Sequence, residues 1–220
     1  MITLTNNRAR VAINPEGAWV EELTDNEQPI LFAKTELVSD SGERKARGGM
    51  HVCLPNFGPG GDSGLAQHGF GRTSQWKVTH QNSTSVSLFL KGEAIRYNSL
   101  EADLTYQLGV HQLSAALVLR NRGVTSVRVA PGFHPYFFLD ESDSAVSING
   151  RVYELTELSG TEFIDAEKVS VETSTHQLAL SQHNLSRWAI WTDGLANYVC
   201  VEPTYGGYCF LEPSSPDEHL

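Results

Sequence analysis

Alternating apolar and polar positions run through this chain and predict short β-strands. The alternation is clearest between residues 102 and 119. One face of this stretch carries the apolar side chains of Leu104, Tyr106, Leu108 and Val110. After a turn near His111, a second apolar face carries Leu113, Ala115, Leu117 and Leu119. Because successive side chains of a strand point to opposite faces, a period of two indicates strands with one buried face.

Turn residues divide the rest of the chain into similar segments. Asn82-Ser-Thr separates WKVTHQ from SVSLFLKG, and Asn149-Gly150 lies within VSINGRVYEL. Both patterns predict hairpins, the second with a type I′ tip. Further strands are expected near 11–13 and 19–23, as a pair within 178–194, and at 197–203 and 208–213.

A polar segment and the lack of helical periodicity complete the prediction of the fold. Residues 35–46 are polar and predict a loop. No segment shows the 3.6-residue period of an amphipathic helix. Many short strands with turn residues between them are typical of a large antiparallel β-sandwich. We therefore expect an all-β fold, formed as a single domain over residues 1–220.

A glycine-rich stretch at residues 47–76, RGGMHVCLPNFGPGGDSGLAQHGFGRTSQW, interrupts this pattern. Glycine supplies positive φ angles and lets other groups approach the backbone, so the composition predicts a long loop. Long loops in compact domains are usually functional. His68 and Arg72 place an imidazole and a fixed cation on this segment. A glycine-rich connector with incidental polar residues explains the same composition equally well.

Three ordered motifs resemble the aldose 1-epimerase (galactose mutarotase) superfamily, nearest to its hexose-6-phosphate mutarotase-like branch. RGGMHVCLPNFGP followed by QHGFGRTSQW is similar to the RGG-x-P-type strand start and the HGFAR-x-x-x-W segment of that branch. GFHPYFFL at 132–139 and YVCVEPTYGG at 198–207 follow in the expected order. The resemblance implies a curved antiparallel β-sandwich with a sugar cleft on one sheet. It also implies interconversion of the α and β anomers of a hexose, without a metal or cofactor.

The resemblance implies that Glu202 and His134 are the catalytic residues. Glu202 ends the apolar segment YVCVEP, where partial burial raises a carboxyl pKa, and it is the expected general base. His134 is the expected general acid, since histidine exchanges protons near neutral pH. This assignment expects Glu202 to be ionised and His134 to be protonated. Position alone favours a strand-end glutamate paired with an arginine, and a core histidine bonded to a carbonyl.

Five further residues are predicted to bind the substrate. The resemblance implies that His68 hydrogen-bonds sugar oxygens near the anomeric centre. It also implies that Arg47 and Arg72 face the sugar or its phosphate, where a guanidinium can form a bidentate clamp. Gln67, next to His68, and the ring of Tyr136 complete the set. For each arginine, a surface salt bridge is the simpler explanation in so acidic a protein.

Several positions depart from the family pattern. Asp140, Asp143 and Asp165 are all candidates for the family's sugar-binding aspartate, whereas Asp193 in WTDG is interpreted as a turn residue. Thr204-Tyr205 replaces a tryptophan of the base motif, so one wall of the cleft is expected to differ. Two alternatives stay open: a hexose-6-phosphate mutarotase, or a non-catalytic carbohydrate-binding β-sandwich. Histidines without a motif are interpreted as surface or strand-facing residues; they are His51, His80, His111, His176, His183 and His219.

Composition narrows the functional classes without changing the predicted fold. A formal net charge of −10 argues against nucleic acid and anionic membranes as partners, because both need clustered Lys and Arg. Cys53, Cys200 and Cys209 lack the spacing of a disulfide framework or a zinc site, so reduced, buried thiols are expected. The first residues have no apolar segment typical of a signal peptide, and no run approaches the length of a membrane span, so we expect a cytoplasmic protein. The expected partner is a sugar or sugar phosphate, and homo-oligomerisation stays open.

Overall fold

The structure is a computed structural model that describes residues 1–92, 94–211 and 218–220. Over this part of the chain it contains strands and three short 3-10 turns, which confirms the all-β prediction. The turns are Gly61–Ser63, Ile95–Tyr97 and Leu155–Glu157. The strands are β1 (Ile2–Thr5), β2 (Ala9–Asn14), β3 (Trp19–Asp25), β4 (Gln28–Pro29), β5 (Thr35–Val38), β6 (Arg44–Arg47), β7 (Met50–Cys53), β8 (Lys77–Gln81), β9 (Ser85–Lys91), β10 (Leu100–Leu108), β11 (Leu113–Asn121), β12 (Arg128–Val129), β13 (Gly132–Phe138), β14 (Ala145–Ile148), β15 (Arg151–Glu154), β16 (Glu162–Ile164), β17 (Lys168–Glu172), β18 (Gln177–Ser181), β19 (Arg187–Trp191), β20 (Tyr198–Thr204) and β21 (Glu218–His219).

The largest sheet has nine strands and carries the site described below. Its order is β1-β2-β3-β7-β13-β20-β19-β16, with β4 paired to β3. Neighbouring strands run antiparallel throughout. Strands β7, β13 and β20 lie side by side near the middle of the sheet. Three distant parts of the sequence, near residues 50, 135 and 200, therefore meet there.

One hydrophobic core joins this sheet to two four-stranded sheets, β11-β10-β9-β8 and β15-β14-β17-β18. Leu4 and Val201 of the large sheet belong to the same buried cluster as Leu104 and Val171 of the smaller sheets. All four side chains are fully buried. Burying such a side chain contributes about 1.5–3 kcal/mol. One face of the large sheet therefore packs in the hydrophobic core and stabilises the fold.

Both hairpins predicted from turn residues are confirmed. β8 pairs with β9, and β14 pairs with β15. At the second tip, φ is 50° at Asn149 and 78° at Gly150, as a type I′ turn requires. The alternating stretch at 102–119 also forms a pair, β10 with β11. Val110, assigned to the first of these strands, instead lies exposed in the turn between them.

Four predictions of local structure are wrong. Residues 35–46, predicted as a loop, contain most of β5 and β6, a two-stranded ribbon that packs Leu37 against the buried cluster of Tyr136, Tyr198 and Cys200. The ribbon also carries an Arg44–Glu36 ion pair. The glycine-rich stretch contains β7, a strand of the large sheet. The two strands within 178–194 lie in different sheets, because β18 pairs with β17 and β19 with β20. Residues 208–211 form no strand, and positions 212 and 213 lie outside the described residues.

Where the chain is described, no helix combines the length and the apolar character that crossing a membrane requires.

Candidate active site

His134 and Glu202 come together on neighbouring strands of the large sheet. Tyr136 on β13 pairs with Cys200 on β20. His134 lies two residues before Tyr136, and Glu202 lies two residues after Cys200, so the antiparallel register places them opposite each other. His134 Nε2 lies 3.2 Å from Glu202 Oε2. The two residues are 4% and 3% exposed. Strand register, not a loop, therefore assembles the predicted pair.

The strands that carry the pair divide their side chains between two faces. On β20, Val199 and Val201 belong to the main hydrophobic core. Cys200 and Glu202 alternate with them and point to the opposite side of the sheet. We call the first side the core face and the second the site face. The site face is defined by His51, His134, Tyr136, Cys200 and Glu202.

Both members of the pair keep polar atoms without a hydrogen-bond partner. Among the described residues, His134 Nδ1 and Glu202 Oε2 are buried and make no hydrogen bond. The 3.2 Å contact between Glu202 Oε2 and His134 Nε2 lacks the alignment of a hydrogen bond. Leaving a buried polar atom unsatisfied costs about 1–3 kcal/mol. A ligand rich in hydroxyl groups is able to satisfy both atoms.

Burial decides where the proton of the pair lies. It raises the pKa of the Glu202 carboxyl well above its usual value. It lowers the pKa of His134 well below its usual value, and the rings of His51 and His68 act in the same direction. Both shifts favour the neutral forms, because a low-dielectric environment disfavours charge. The proton is therefore favoured on Glu202, contrary to the expected ionised glutamate beside a protonated histidine.

His68 reaches the pair from the loop before β8. Its ring centroid lies 4.9 Å from that of His134. Its Nδ1 accepts a hydrogen bond from the Gly58 N–H at 3.2 Å, so the neutral ring carries its proton on Nε2. The Gln67 side-chain amide, 3.3 Å from Nε2, accepts this proton when its oxygen is the atom turned towards the ring. Burial, together with the charge of Arg72, lowers the pKa of His68 to about 3. His68 is therefore a neutral hydrogen-bond donor through Nε2.

The backbone at His68 adopts an uncommon conformation. The φ angle is 63° at His68 and 66° at Gly69. A Cβ at Gly69 would lie 2.1 Å from the carbonyl oxygen of Leu54, so this position requires glycine. A left-handed non-glycine residue costs about 1–3 kcal/mol and persists only where its surroundings impose it. The close approach at Gly69 thus fixes the position of His68.

Aromatic rings enclose the two central histidines. Tyr136 stacks on His134, with centroids 4.6 Å apart and an interplanar angle of 13°. Trp191 meets the same imidazole edge-on at 6.1 Å. Phe57 contacts His68 at 5.4 Å. Small-molecule sites commonly combine such apolar walls with a few polar groups.

Arg47 forms an ion pair with Asp193, which was interpreted from the sequence as a turn residue. Arg47 Nε donates to Asp193 Oδ2 at 2.8 Å, and the Tyr198 hydroxyl donates to Asp193 Oδ1. Burial opposes ionisation of Asp193, but these hydrogen bonds hold its pKa below the usual value. The Arg47 guanidinium also lies 5.6 Å from the centroid of the Trp191 ring, which borders His134. Asp193 therefore lies at the site, although nothing in the local sequence WTDG indicates it.

The three aspartates considered from the sequence lie elsewhere. Asp140 accepts hydrogen bonds from the backbone and hydroxyl of Ser142, in the turn after β13. Asp143 accepts from the backbone N–H of Asp140. Asp165 forms an exposed ion pair with Arg187. Among these candidates and Asp193, Asp193 alone borders the predicted site residues.

Arg72 is half-buried, and its guanidinium has no hydrogen bond or ion pair with any described residue. Its charge contributes to lowering the pKa values of His51, His68 and His134. A guanidinium is suited to bind the oxygens of a sugar or a phosphate. Arg72 thus differs from Arg47, whose charge is already balanced.

His51 is a site-face residue that sequence reasoning assigned no role. It pairs in register with His134, and the two ring centroids are 4.8 Å apart. Its other face packs on Trp19 at 4.5 Å, and its Nε2 is buried without a described partner. Burial lowers the pKa of His51 well below the usual value. The one available signal was its position, where the RGG-x-P pattern has proline.

The remaining predictions concern the residues that replace the tryptophan of the base motif, the three cysteines and the histidines without a motif. Of the two residues in the tryptophan's place, Thr204 is buried at the end of β20, and Tyr205 packs in a separate cluster with Ala130 and Phe210. The ring of Tyr208 stacks on Phe57, at 5.8 Å. The three cysteines are buried and form no disulfide, as expected. His80, His111 and His183 are exposed, His176 is half-buried, and the His219 side chain lies outside the described part.

Solved structures share this architecture. A galactose mutarotase-like protein from Lactobacillus casei ATCC 334 matches with a TM-score of 0.82 and 17% identity, over 100% of this chain and 95% of that one. A galactose mutarotase related enzyme from Lactobacillus acidophilus matches with a TM-score of 0.81 and 17% identity, over 100% and 92%. The Slr1438 protein from Synechocystis sp. PCC 6803 matches with a TM-score of 0.77 and 23% identity, over 100% and 90%. This likeness confirms the galactose mutarotase-like fold.

The sequence also matches the model of a protein family. A search of curated proteins gave no match. The family model described as aldose 1-epimerase matches residues 1–194. This match includes His68 and His134 but ends before Glu202, which is assigned from the YVCVEP motif and lies opposite His134. Since the match spans most of the length of this chain, the chain belongs to the aldose 1-epimerase family.

Proposed function

We propose that this protein is a cofactor-independent mutarotase that interconverts the α and β anomers of a neutral hexose. The observation that carries the proposal is the buried His134–Glu202 pair, with its unpartnered Nδ1 and Oε2 atoms. Membership of the aldose 1-epimerase family supports a mutarotase-like function. The aromatic walls and the neighbouring polar groups are suited to a small polyhydroxylated ligand.

The chemistry of mutarotation requires two proton transfers. One group takes the proton of the anomeric hydroxyl, and another protonates the ring oxygen so that the ring opens. Rotation about the C1–C2 bond and closure then give the other anomer, with the two proton transfers reversed. An acid and a base positioned for such transfers contribute about 10²- to 10⁴-fold to the rate.

His134 and Glu202 together hold the one proton that this chemistry needs. Burial favours a protonated Glu202 beside a neutral His134. Moving that proton from Glu202 to His134 gives the arrangement in which Glu202 is the base and His134 the acid. Both arrangements contain the same number of protons, so their pH profiles have the same bell shape, with pKa values that belong to the pair. We assign the base role to Glu202 and the acid role to His134 in the reactive arrangement.

The surrounding groups orient the sugar in this proposal. His68 donates from Nε2 to an oxygen near the anomeric carbon, helped by Gln67 beside it. Asp193 accepts hydrogen bonds from sugar hydroxyls while Arg47 and Tyr198 hold it ionised. None of these groups needs to transfer a proton. Their contribution is to fix the sugar within hydrogen-bond reach of the pair.

Charge balance favours a neutral sugar as the substrate. Arginine binds phosphate through charge-assisted, often bidentate hydrogen bonds, for which a guanidinium already paired with a carboxylate is less available. Here the Arg47 charge is balanced by Asp193 at 2.8 Å. Arg72 has no such partner among the described residues, and this observation supports a sugar phosphate as the second candidate.

Anomer exchange measured by NMR on several aldoses tests the proposal. The wild-type protein should accelerate equilibration of a freshly dissolved pure anomer. Glu202→Gln should lower the exchange rate by about 10²-fold or more, because the amide cannot exchange a proton. The matched control Glu172→Gln changes an exposed residue of β17 and should retain the wild-type rate.

The alternatives give different results in the same experiment. Equal rates for Glu202→Gln and wild type would remove Glu202 from the mechanism. Sugar binding in calorimetry without exchange would indicate a carbohydrate-binding protein. Inhibition of exchange by inorganic phosphate, lost in Arg72→Ala, would favour the sugar phosphate. Indifference to phosphate would favour the neutral hexose.

A further inference from the structure

We propose that His134, Cys200 and Glu202 form a Zn²⁺ site, through which zinc inhibits the enzyme. One imidazole nitrogen, one thiol sulfur and one carboxylate oxygen lie within 4.8 Å of one another. All three residues are buried. The binding site follows from this geometry alone, whereas inhibition also rests on the proposed mutarotase function.

The sheet holds the three ligands in place. Cys200 and Glu202 are two residues apart on β20, so their side chains point to the same face. Tyr136 pairs with Cys200, which brings His134 to the neighbouring position on β13. Ligands on adjacent strands keep their positions better than ligands on loops.

A zinc ion fits this triad after a small movement of side chains. Tetrahedral zinc has bonds of about 2.3 Å to sulfur and about 2.0–2.2 Å to nitrogen or oxygen, so its ligand atoms lie about 3.3–3.8 Å apart. A separation of 4.8 Å must therefore close by about 1 Å. The Glu202 side chain has three rotatable bonds and can make this adjustment without backbone movement.

A second observation points to a ligand at the same place. Glu202 Oε2 and His134 Nδ1 are buried and have no hydrogen-bond partner among the described residues. Buried polar atoms normally have partners, and an unpartnered pair next to a thiol suggests an occupant that accepts lone pairs. A cation satisfies such atoms directly, whereas an apolar molecule does not.

The ligand types select zinc over the abundant hard cations. Thiolate and imidazole ligands suit Zn²⁺, whereas Mg²⁺ and Ca²⁺ require oxygen ligands. Burial raises the pKa of both the Cys200 thiol and the Glu202 carboxyl, so zinc binding releases one proton from each to solvent. The resulting thiolate and carboxylate together balance the two charges of the ion. This balance offsets the repulsion expected from the Arg47 and Arg72 guanidinium groups nearby. Three protein ligands leave one coordination position open, as in zinc sites that small molecules can reach.

Zinc at this site blocks the proposed chemistry. The ion would occupy the carboxylate of Glu202 and a ring nitrogen of His134, which exchange protons with the sugar. The proton transfers themselves need no metal. Zinc would therefore act as a reversible inhibitor, and removing it with a chelator would restore activity.

Binding is tested by absorption spectroscopy with Co²⁺ and by calorimetry with Zn²⁺, on protein first dialysed against a chelator. Wild type should bind one Co²⁺ per chain with a thiolate charge-transfer band in the near ultraviolet, and Zn²⁺ should displace it. Cys200→Ser and Cys200→Ala should lose the band and bind Zn²⁺ at least about tenfold more weakly. Cys209→Ser is the matched control, since Cys209 is buried in a different cluster, and it should keep the band. Absence of Zn²⁺ binding, or binding unchanged in both Cys200 variants, would overturn the site.

Activity separates this inference from the proposed function. Zn²⁺ should slow anomer exchange in the wild type, and Mg²⁺ at the same concentration should not. The readout is the ratio of exchange rates with and without Zn²⁺ within each protein: for Cys200→Ser, whatever its own basal rate, this ratio should be about one, whereas Cys209→Ser should be inhibited like the wild type. Equal inhibition by Mg²⁺ would overturn the selectivity that the thiol confers. If no aldose is exchanged, the mutarotase proposal fails and the Co²⁺ band still decides the metal site. If exchange occurs without metal binding, only this inference fails.

Discussion

The core face and the site face of the nine-stranded sheet come from the same strands but bury different chemistry. Val199 and Val201 of β20 pack in the apolar core, whereas Cys200 and Glu202, which alternate with them, line the site. Burial on the core face lowers the free energy of the folded state. Burial on the site face raises it, because polar atoms there lack partners. Successive residues of one strand should therefore control different properties, stability for one face and chemistry for the other.

The largest expected effect is on the site face, in His134→Asn. Asparagine keeps a hydrogen-bond donor but cannot transfer a proton, so kcat for anomer exchange should fall about 10²- to 10⁴-fold. The free energy of unfolding should change by less than about 1 kcal/mol, because the native imidazole has an unsatisfied nitrogen. NMR exchange and urea denaturation measure the two properties. His80→Asn, on the exposed strand β8, is the control and should match the wild type in both. Wild-type exchange in His134→Asn would transfer the acid role to another group.

A change in the loop that holds His68 should affect both properties. Gly69→Ala introduces a Cβ 2.1 Å from the Leu54 carbonyl oxygen, at a φ of 66°. We expect a loss of about 3 kcal/mol in the free energy of unfolding, together with slower exchange, since His68 must shift. Gly150→Ala has a similar φ of 78° and nothing within 4 Å, so it isolates the backbone strain and should cost about 1 kcal/mol. Equal losses in the two variants would show that the close contact is unimportant.

On the core face, Val201→Ala should reverse the pattern of His134→Asn. Removing two methyl groups from a fully buried side chain should lower the free energy of unfolding by about 2 kcal/mol. The exchange rate per folded molecule should stay at the wild-type value. Denaturation curves and NMR exchange on the same sample provide the comparison. A large loss of activity with unchanged stability would mean that the two faces are not independent.

The effect that is smallest near pH 5, and grows above it, is the pH dependence of stability that Glu202 on the site face confers. The raised pKa of Glu202 means that the folded state keeps this proton to higher pH than the unfolded state. The stability that this group contributes is present below about pH 4.5 and is lost as the pH rises through the folded pKa. Glutamine does not titrate, so Glu202→Gln should gain stability relative to wild type as the pH rises above about 4.5. The gain is at most about 1.4 kcal/mol per pH unit.

Urea denaturation of both proteins across a pH series, with chelator present, measures this difference. Glu172→Gln alters an exposed carboxyl on β17 and should run parallel to the wild type. A constant difference between Glu202→Gln and wild type at all pH values would show that Glu202 has the same pKa in both states.

Features encoded in short sequence windows could be predicted. Alternation gave the β10–β11 pair, and Asn149-Gly150 gave a hairpin tip with two positive φ angles. The motifs around His68, His134 and Glu202 indicated residues that the fold brings into one cluster. Glycine density identified the loop whose close contacts position His68.

Features that depend on register or on distant partners could not be predicted. His51 joins the site because β7 aligns it with His134, and no local pattern encodes that alignment. Asp193 joins it by pairing with Arg47, 146 residues away. The strands β5 and β6 are mostly polar, and of their residues Leu37 packs on the buried cluster of Tyr136, Tyr198 and Cys200, so alternation gave no signal. The expected protonation of Glu202 and His134 was reversed because burial could not be measured from the sequence.

The mid-strand location of the His134–Glu202 pair has a consequence for how this protein can diversify. A shift of one residue in the register of β13 or β20 would turn the pair towards the core, so these strands tolerate little change. The loop with Gln67 and His68, and the ribbon of β5 and β6 that ends at Arg47, are attached to this frame without being part of the pair. Insertions in such surface segments are tolerated far better than changes in sheet register. New substrates could therefore be acquired by remodelling these two segments, while the acid and base stay where they are.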